Sequence, residues 1–199
     1  GTAPKPPVSE PAVRAHPIRT QFGGAFYLIN LGLHLGLYAD FTRPAWPGLG
    51  LPIWDFVELV TRGLLGDRFA PDPLWALLAE LSGRDIEIPP GGGLEPPPCW
   101  PVPADWVCPP ASEPGASARW SAWLVPRSRE RLCAAFGIEK AEDLPGLMLA
   151  RAARVEVTPA RLDVTLRLDE LAIEVRLSGL DRDPGWVPAA GRVVAFHYD

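Results

Sequence analysis

The prolines of this chain, 25 in 199 residues, fall mostly in two clusters that fix where regular structure can form. Pro4, Pro6, Pro7, Pro11 and Pro17 occupy a segment with few large apolar residues. That composition is expected of a solvated, semi-rigid linker over residues 1–17, leaving residues 18–199 as one domain. The second cluster, Pro89, Pro90, Pro96 to Pro98, Pro101, Pro103, Pro109, Pro110 and Pro114, surrounds three successive glycines from Gly91. Proline removes a backbone donor and clashes with a preceding helical turn, so residues 86–118 are expected to be a long Pro/Gly-rich loop. Trp100, Val102, Trp106 and Val107 are too apolar to leave in free solvent, and the segment reads as an arm docked on its own domain or on a partner.

Between the clusters the pattern is helical. Residues 22–39 carry no charged side chain and are apolar on every face, as expected of one buried helix. Gly24, Gly32 and Gly36 each lower helix propensity by about 1 kcal/mol, which close packing against bare backbone would offset. The same stretch contains a Gly32-x-x-x-Gly36 pattern, but it is at the lower limit of membrane-spanning length and carries Asn30 and His34, so a soluble core helix is the preferred reading. Pro52 opens a second helix with Ile53, Phe56, Val57 and Val60 on one face. Asp72-Pro73 is an N-cap followed by a first-turn proline, opening a third helix closed by Gly83. Trp120, Trp123 and Leu124 begin a helix expected to break at Pro126, with Ser128 capping a further one that stops at Gly137. A short helix follows around residues 144–152.

The period then changes to two. Val155 and Val157, then Leu162, Val164, Leu166 and Leu168, then Leu171, Ile173, Val175 and Leu177 alternate with polar residues, as do strands covered on one face. Thr158-Pro159-Ala160 and Asp169-Glu170 are short enough to demand hairpins, and Val193 to Tyr198 makes a fourth strand. The expected fold class is α+β: an N-terminal helical half packed on a C-terminal antiparallel β-meander of three to four strands over residues 154–199.

Composition narrows function. With 47% hydrophobic residues the chain can bury a sizeable core. A net charge of -5 gives no general attraction to nucleic acid or anionic membrane. Cys99, Cys108 and Cys133 do not make a disulfide framework, although Cys99 and Cys108 share a loop and could pair in an exported protein. Cys133 reads as a small core residue. His16, His34 and His197 are far apart and there is no CxxC, so no metal or other cofactor is expected. His34 reads as a satisfied core histidine and His197 as solvated. Asp40 is expected to bond local backbone or Arg43. A first residue of Gly and a lone methionine, Met148, suggest a piece of a longer protein.

Four stretches carry a resemblance: Phe22 to Thr42 (FGGAFYLINLGLHLGLYADFT), Leu51 to Phe56 (LPIWDF), Asp72 to Trp75 (DPLW) and Gly179 to Trp186 (GLDRDPGW). In these the chain resembles a group of bacterial proteins encoded with contractile injection systems, phage-tail-like machines, some of which are labelled tape-measure proteins. The resemblance implies a structural or assembly role beside tube or baseplate subunits, in the bacterial cytoplasm or in an assembled extracellular particle. It implies no catalytic residues. The chain departs from a tape measure in lacking long uninterrupted heptads.

The most pointed polar cluster is Asp181-Arg182-Asp183 before Pro184-Gly185. Two carboxylates flanking a guanidinium suit a general acid/base or divalent-metal site. The same string suits a turn in which Asp accepts backbone N–H bonds and Pro fixes φ, and that reading is preferred. No G-x-S-x-G elbow, Walker A loop or G-x-G-x-x-G is present. Eight tryptophans, several in expected loops, favour an interface, since tryptophan concentrates binding energy. The expectation is a non-enzymatic assembly module with partner contacts through Trp100, Trp106, Trp186, Asp181, Arg182 and Asp183. The alternatives are a hydrolase or metal enzyme using Asp181 and Asp183, and a membrane-associated protein using residues 22–39.

Overall fold

The computed structural model describes residues 17–44, 48–97 and 114–199. Trp46, Trp100, Trp106, Cys99, Cys108, His16 and the segment 1–16 lie outside the described residues.

Capping explains where the helices start. Asp72 Oδ1 accepts a hydrogen bond from Leu74 N at 2.8 Å and Pro73 fills the first helical position of α3 (Pro73–Leu81). Pro52 sits at the N-cap of α2 (Ile53–Leu65), which is buried over most of its length. The uncharged stretch 22–39 is shorter as a helix than its composition suggests. A 3-10 turn, Gly23–Phe26, runs into α1 (Tyr27–His34), and Gly36, at φ 67°, turns the chain away. His34, at the end of α1, is exposed, which corrects the expectation of a core histidine. Gly24 and Gly32 do carry close packing. A Cβ on Gly24 would lie 1.7 Å from the backbone oxygen of Met148, and one on Gly32 would lie 3.1 Å from the Tyr38 ring and 3.2 Å from Phe56.

Residues 116–136 form one continuous helix, α4 (Ala116–Phe136), with Pro126 inside it. The expected break at Pro126 is absent, and Ala116 to Ala118 belong to this helix instead of the loop. Pro126 and Ala122, whose carbonyl loses its usual donor, are both exposed, on the side of the helix where solvent can take the place of the lost donor. Trp120, Trp123, Leu124 and Leu132 anchor the opposite face in the core. Ser128 is therefore no cap. Its hydroxyl is buried in mid-helix without a partner among the described residues.

Among the described residues the sheet has five strands, β1 (Ile18–Thr20), β2 (Ala153–Val157), β3 (Arg161–Leu166), β4 (Gly185–Val187) and β5 (Arg192–Tyr198), in the order β1-β2-β3-β5-β4. The Thr158 turn joins β2 and β3 as the hairpin its length demands, with Thr158 N donating to Arg161 O at 2.8 Å. The fold class is α+β, as expected, but the sheet is mixed where a pure antiparallel meander was expected. Pairing between β3 and β5 is parallel, Val164 opposite Phe196. A parallel pair requires a crossover, and the segment read as a third strand supplies it. Leu168–Glu170 is a 3-10 turn and Ile173–Ser178 is helix α5.

Alternation along the strands separates two faces. Val155, Leu162, Val164, Leu166, Val187, Val194 and Phe196 are buried against the helices, with Tyr27 edge-on to Phe196 at 5.2 Å. On the other face the register aligns Arg161 with Val193 and Trp186, and Arg154 with Thr165 and His197. An antiparallel-edged sheet commonly leaves such a face in water.

Candidate functional site

The loop Asp181 to Trp186 is held by groups from two directions. Asn30, on α1, donates through Nδ2 to Leu180 O at 2.8 Å and to Arg182 O at 2.6 Å. Asp183 Oδ1 accepts from Phe196 N at 2.6 Å, and Tyr198 OH donates to Asp181 O at 3.1 Å. The Asp181 carboxylate is largely buried and 4.0 Å from Arg176. Tyr198 also meets Tyr27 OH at 3.2 Å, and burial raises both phenols above their ordinary range. A neutral phenol keeps its proton for donation, so this network holds the loop as a turn.

The loop thereby distributes its side chains. Arg182 is exposed and lines a groove bounded by α1, α4 and α5, with a volume of about 840 Å³. Leu31, His34 and Leu35 form one wall, Arg131, Ala134 and Ala135 another, and Leu177 to Leu180 the third. Leu177 and Ile173, one helical turn apart on α5, are 80% and 61% exposed. Trp186 is 49% exposed on the outward face of edge strand β4, in register with Val193. It therefore stands on the opposite side of the sheet from the groove. Of the six residues singled out as contacts, the structure brings Asp181, Arg182 and Asp183 into one loop and turns Trp186 away from it, while Trp100 and Trp106 are outside the described residues.

Two polar clusters escaped the sequence reading. On the outer sheet face His197 Nε2 lies 2.7 Å from Asp163 Oδ1, and Arg161 bonds both oxygens of the same carboxylate at 2.8 and 3.2 Å. The Arg161 hydrogen bonds, with His197 adding to them, hold the Asp163 carboxyl at about 2. His197 is solvated, as expected.

The second cluster is buried. Arg84 donates through Nε to Asp55 Oδ1 at 3.0 Å and through its terminal nitrogens to Glu58 Oε2 and Ile88 O. Arg62 meets the other Glu58 oxygen at 2.9 and 2.6 Å, and Gly91 N meets Asp55 Oδ2 at 2.8 Å. Gly91 has a φ of 70° and faces the Trp120 ring, and Trp120 Nε1 donates to Leu94 O at 2.6 Å. The described beginning of the Pro/Gly-rich loop is thus docked on its own domain. An acid three residues after another on an apolar helix face was the available signal for a buried pair; their Arg84 partner, 29 and 26 residues away, had none.

Asp40 bonds Thr42 N at 2.7 Å and Arg43 N at 3.2 Å, as expected of a turn carboxylate. Cys133 is half-buried against the core. Among the described residues no group of three or more His, Cys, Asp or Glu is placed to hold a metal ion, and no helix is long and apolar enough to cross a membrane. No family model, curated protein or solved structure matches the chain.

Proposed function

We propose that this chain is a non-enzymatic structural or assembly module acting through protein–protein contacts, in a contractile, phage-tail-like apparatus as the sequence resemblance implies. The observation that carries the reading is α5. Its alternating apolar residues would be buried in a strand; in the helix only Val175 is, Ile173 and Leu177 face solvent, and Leu177 lines a groove. Aliphatic side chains presented together on a short helix beside a concavity suit a surface that a partner covers. The engagement of Asp183 by backbone and of Asp181 by burial beside Arg176 supports a structural role for the loop over a hydrolytic or metal-binding one.

The test is to sequence the genes beside this one and to co-express the chain with any tube, sheath and baseplate subunits they encode, with a photo-reactive residue in place of Leu177. The reading expects a stoichiometric complex and a crosslink from position 177 to one of those subunits. A chain that remains alone with every neighbour, or genes of a metabolic operon in place of those subunits, overturns it.

A further inference from the structure

We infer that the groove between α1, α4 and α5 receives an acidic, leucine-bearing segment of a partner protein, an inference that rests on the assembly reading above. The groove's charge is segregated. Acidic residues outnumber Lys and Arg in the chain, 24 to 19, yet none of the groove-lining residues is Asp or Glu, while Arg182, Arg131 and His34 all are basic types. Arg182 forms no ion pair among the described residues. Its backbone is tied to Asn30 through the carbonyl, so the guanidinium is presented from a fixed base. Asn30 spends both its Nδ2 donors on the loop, and Arg182, with His34 beside it, sets the sign of the ligand.

Shape and polarity define the rest of the occupant. Leu31, Leu35 and Leu177 offer aliphatic surface beside those cations, and Ala134 and Ala135 keep one wall low enough for a side chain to enter. A volume of about 840 Å³ accommodates several side chains of a peptide. A segment that alternates carboxylates with leucines covers Leu177 and pairs Arg182 at once; an aliphatic segment without acids leaves the guanidinium desolvated and unpaired. A nucleic acid, also anionic, would approach a molecule of net charge -5 and find few cations and no exposed aromatic in the groove.

The test uses two synthetic peptides, one amphipathic sequence of leucine and glutamate and its counterpart with lysine for every glutamate. Each is titrated to millimolar concentration into isotope-labelled protein and followed by amide chemical shifts. The expected result is saturable shifts at groove residues with the glutamate peptide and binding at least about tenfold weaker with the lysine peptide. Arg182→Glu and Leu177→Glu should each weaken binding about tenfold, since a factor of ten is about 1.4 kcal/mol, while Trp186→Ala, on the other side of the sheet, leaves it unchanged. Both substituted positions are exposed, and an unchanged melting midpoint confirms folding. Equal binding of the two peptides, or no shifts at the groove, overturns the inference. The same variants enter the co-expression experiment. A complex that survives both glutamate substitutions overturns the groove while leaving the assembly reading intact; absence of any complex with the unaltered chain overturns the assembly reading itself. A wild-type dimer that Arg182→Glu dissociates would assign the groove to a second copy of this chain and overturn the partner claim.

Discussion

Replacing Arg84 by methionine tests the buried charge network. The Arg84 side chain is 8% exposed, and the side chains it bridges, Asp55 and Glu58, are buried on α2. Methionine keeps most of the aliphatic stem, so packing is largely preserved and the loss is electrostatic. Removing one partner of a buried ion pair costs about 3 to 5 kcal/mol because a charge is left uncompensated. Here each acid keeps one other partner: Glu58 retains Arg62 at 2.9 and 2.6 Å, and Asp55 retains Gly91 N at 2.8 Å. The expected loss is therefore at the lower end, about 3 kcal/mol. For a domain of this size, that corresponds to a fall in melting temperature of roughly 6 to 12 °C. Urea unfolding of the wild type, Arg84→Met, Asp55→Asn/Glu58→Gln and the triple variant measures it. The triple variant should recover much of the loss, since neutral amides need no guanidinium. Arg84→Met within about 0.5 kcal/mol of wild type, the range of an ordinary surface substitution, would refute the reasoning.

Three further outcomes follow from the same geometry. Gly24→Ala should destabilise by about 3 kcal/mol or more, because its Cβ would meet the Met148 carbonyl, backbone that cannot swing aside; thermal melting checks this, and an unchanged midpoint would mean the turn relaxes freely. The Asp163 carboxyl lies at about 2, below the 3.8 of an unperturbed group, so its contribution is present above pH 3.8 and lost as pH falls toward 2. Being partly solvated, it contributes no more than about 1 kcal/mol, and Asp163→Asn should flatten that part of a stability–pH curve. Asp181→Asn with Asp183→Asn should cost about 1 to 2 kcal/mol, since an amide oxygen still accepts from Phe196 N, and neither protein should gain melting temperature on adding calcium or magnesium; a metal-dependent rise that the pair of substitutions abolishes would revive the ion-site reading.

Legibility followed the range of the interactions. Asp72 and Pro73 cap a helix through contacts two residues long, and β2 and β3 declare themselves through alternation plus a short turn, so these were readable. Residues 171–177 misled because alternation reports a buried face only when a partner strand is available. The place beside β3 is taken by β5, from a segment some thirty residues later in the chain, and the intervening residues become a crossover with Ile173 and Leu177 outside. Pro126 misled for a related reason. Its cost as a helix breaker depends on whether the deprived carbonyl meets water or protein, which is a property of the α4 surface and not of the local string. In the candidate site, an Asp that accepts from backbone was legible in Asp-Pro-Gly, but its partner, Phe196 N on β5, and the groove were not. His34, Arg131, Leu177 and Arg182 are separated by up to about 150 residues and line one groove only through the docking of α5 and Asn30.

The position of β5 has a consequence for how the chain acquires its structure. The strand that comes last in sequence sits inside the sheet, between β3 and β4, and supplies Val194 and Phe196 to the interior. During synthesis the β2–β3 hairpin can form locally, but β1 waits for residue 153 and the flank of β3 stays open until Arg192 to Tyr198 have left the ribosome. Such long-range closure makes folding slow. Until then the nascent chain carries an unpaired, apolar strand edge, the state in which a partner or chaperone has most to protect and a truncated chain most readily aggregates.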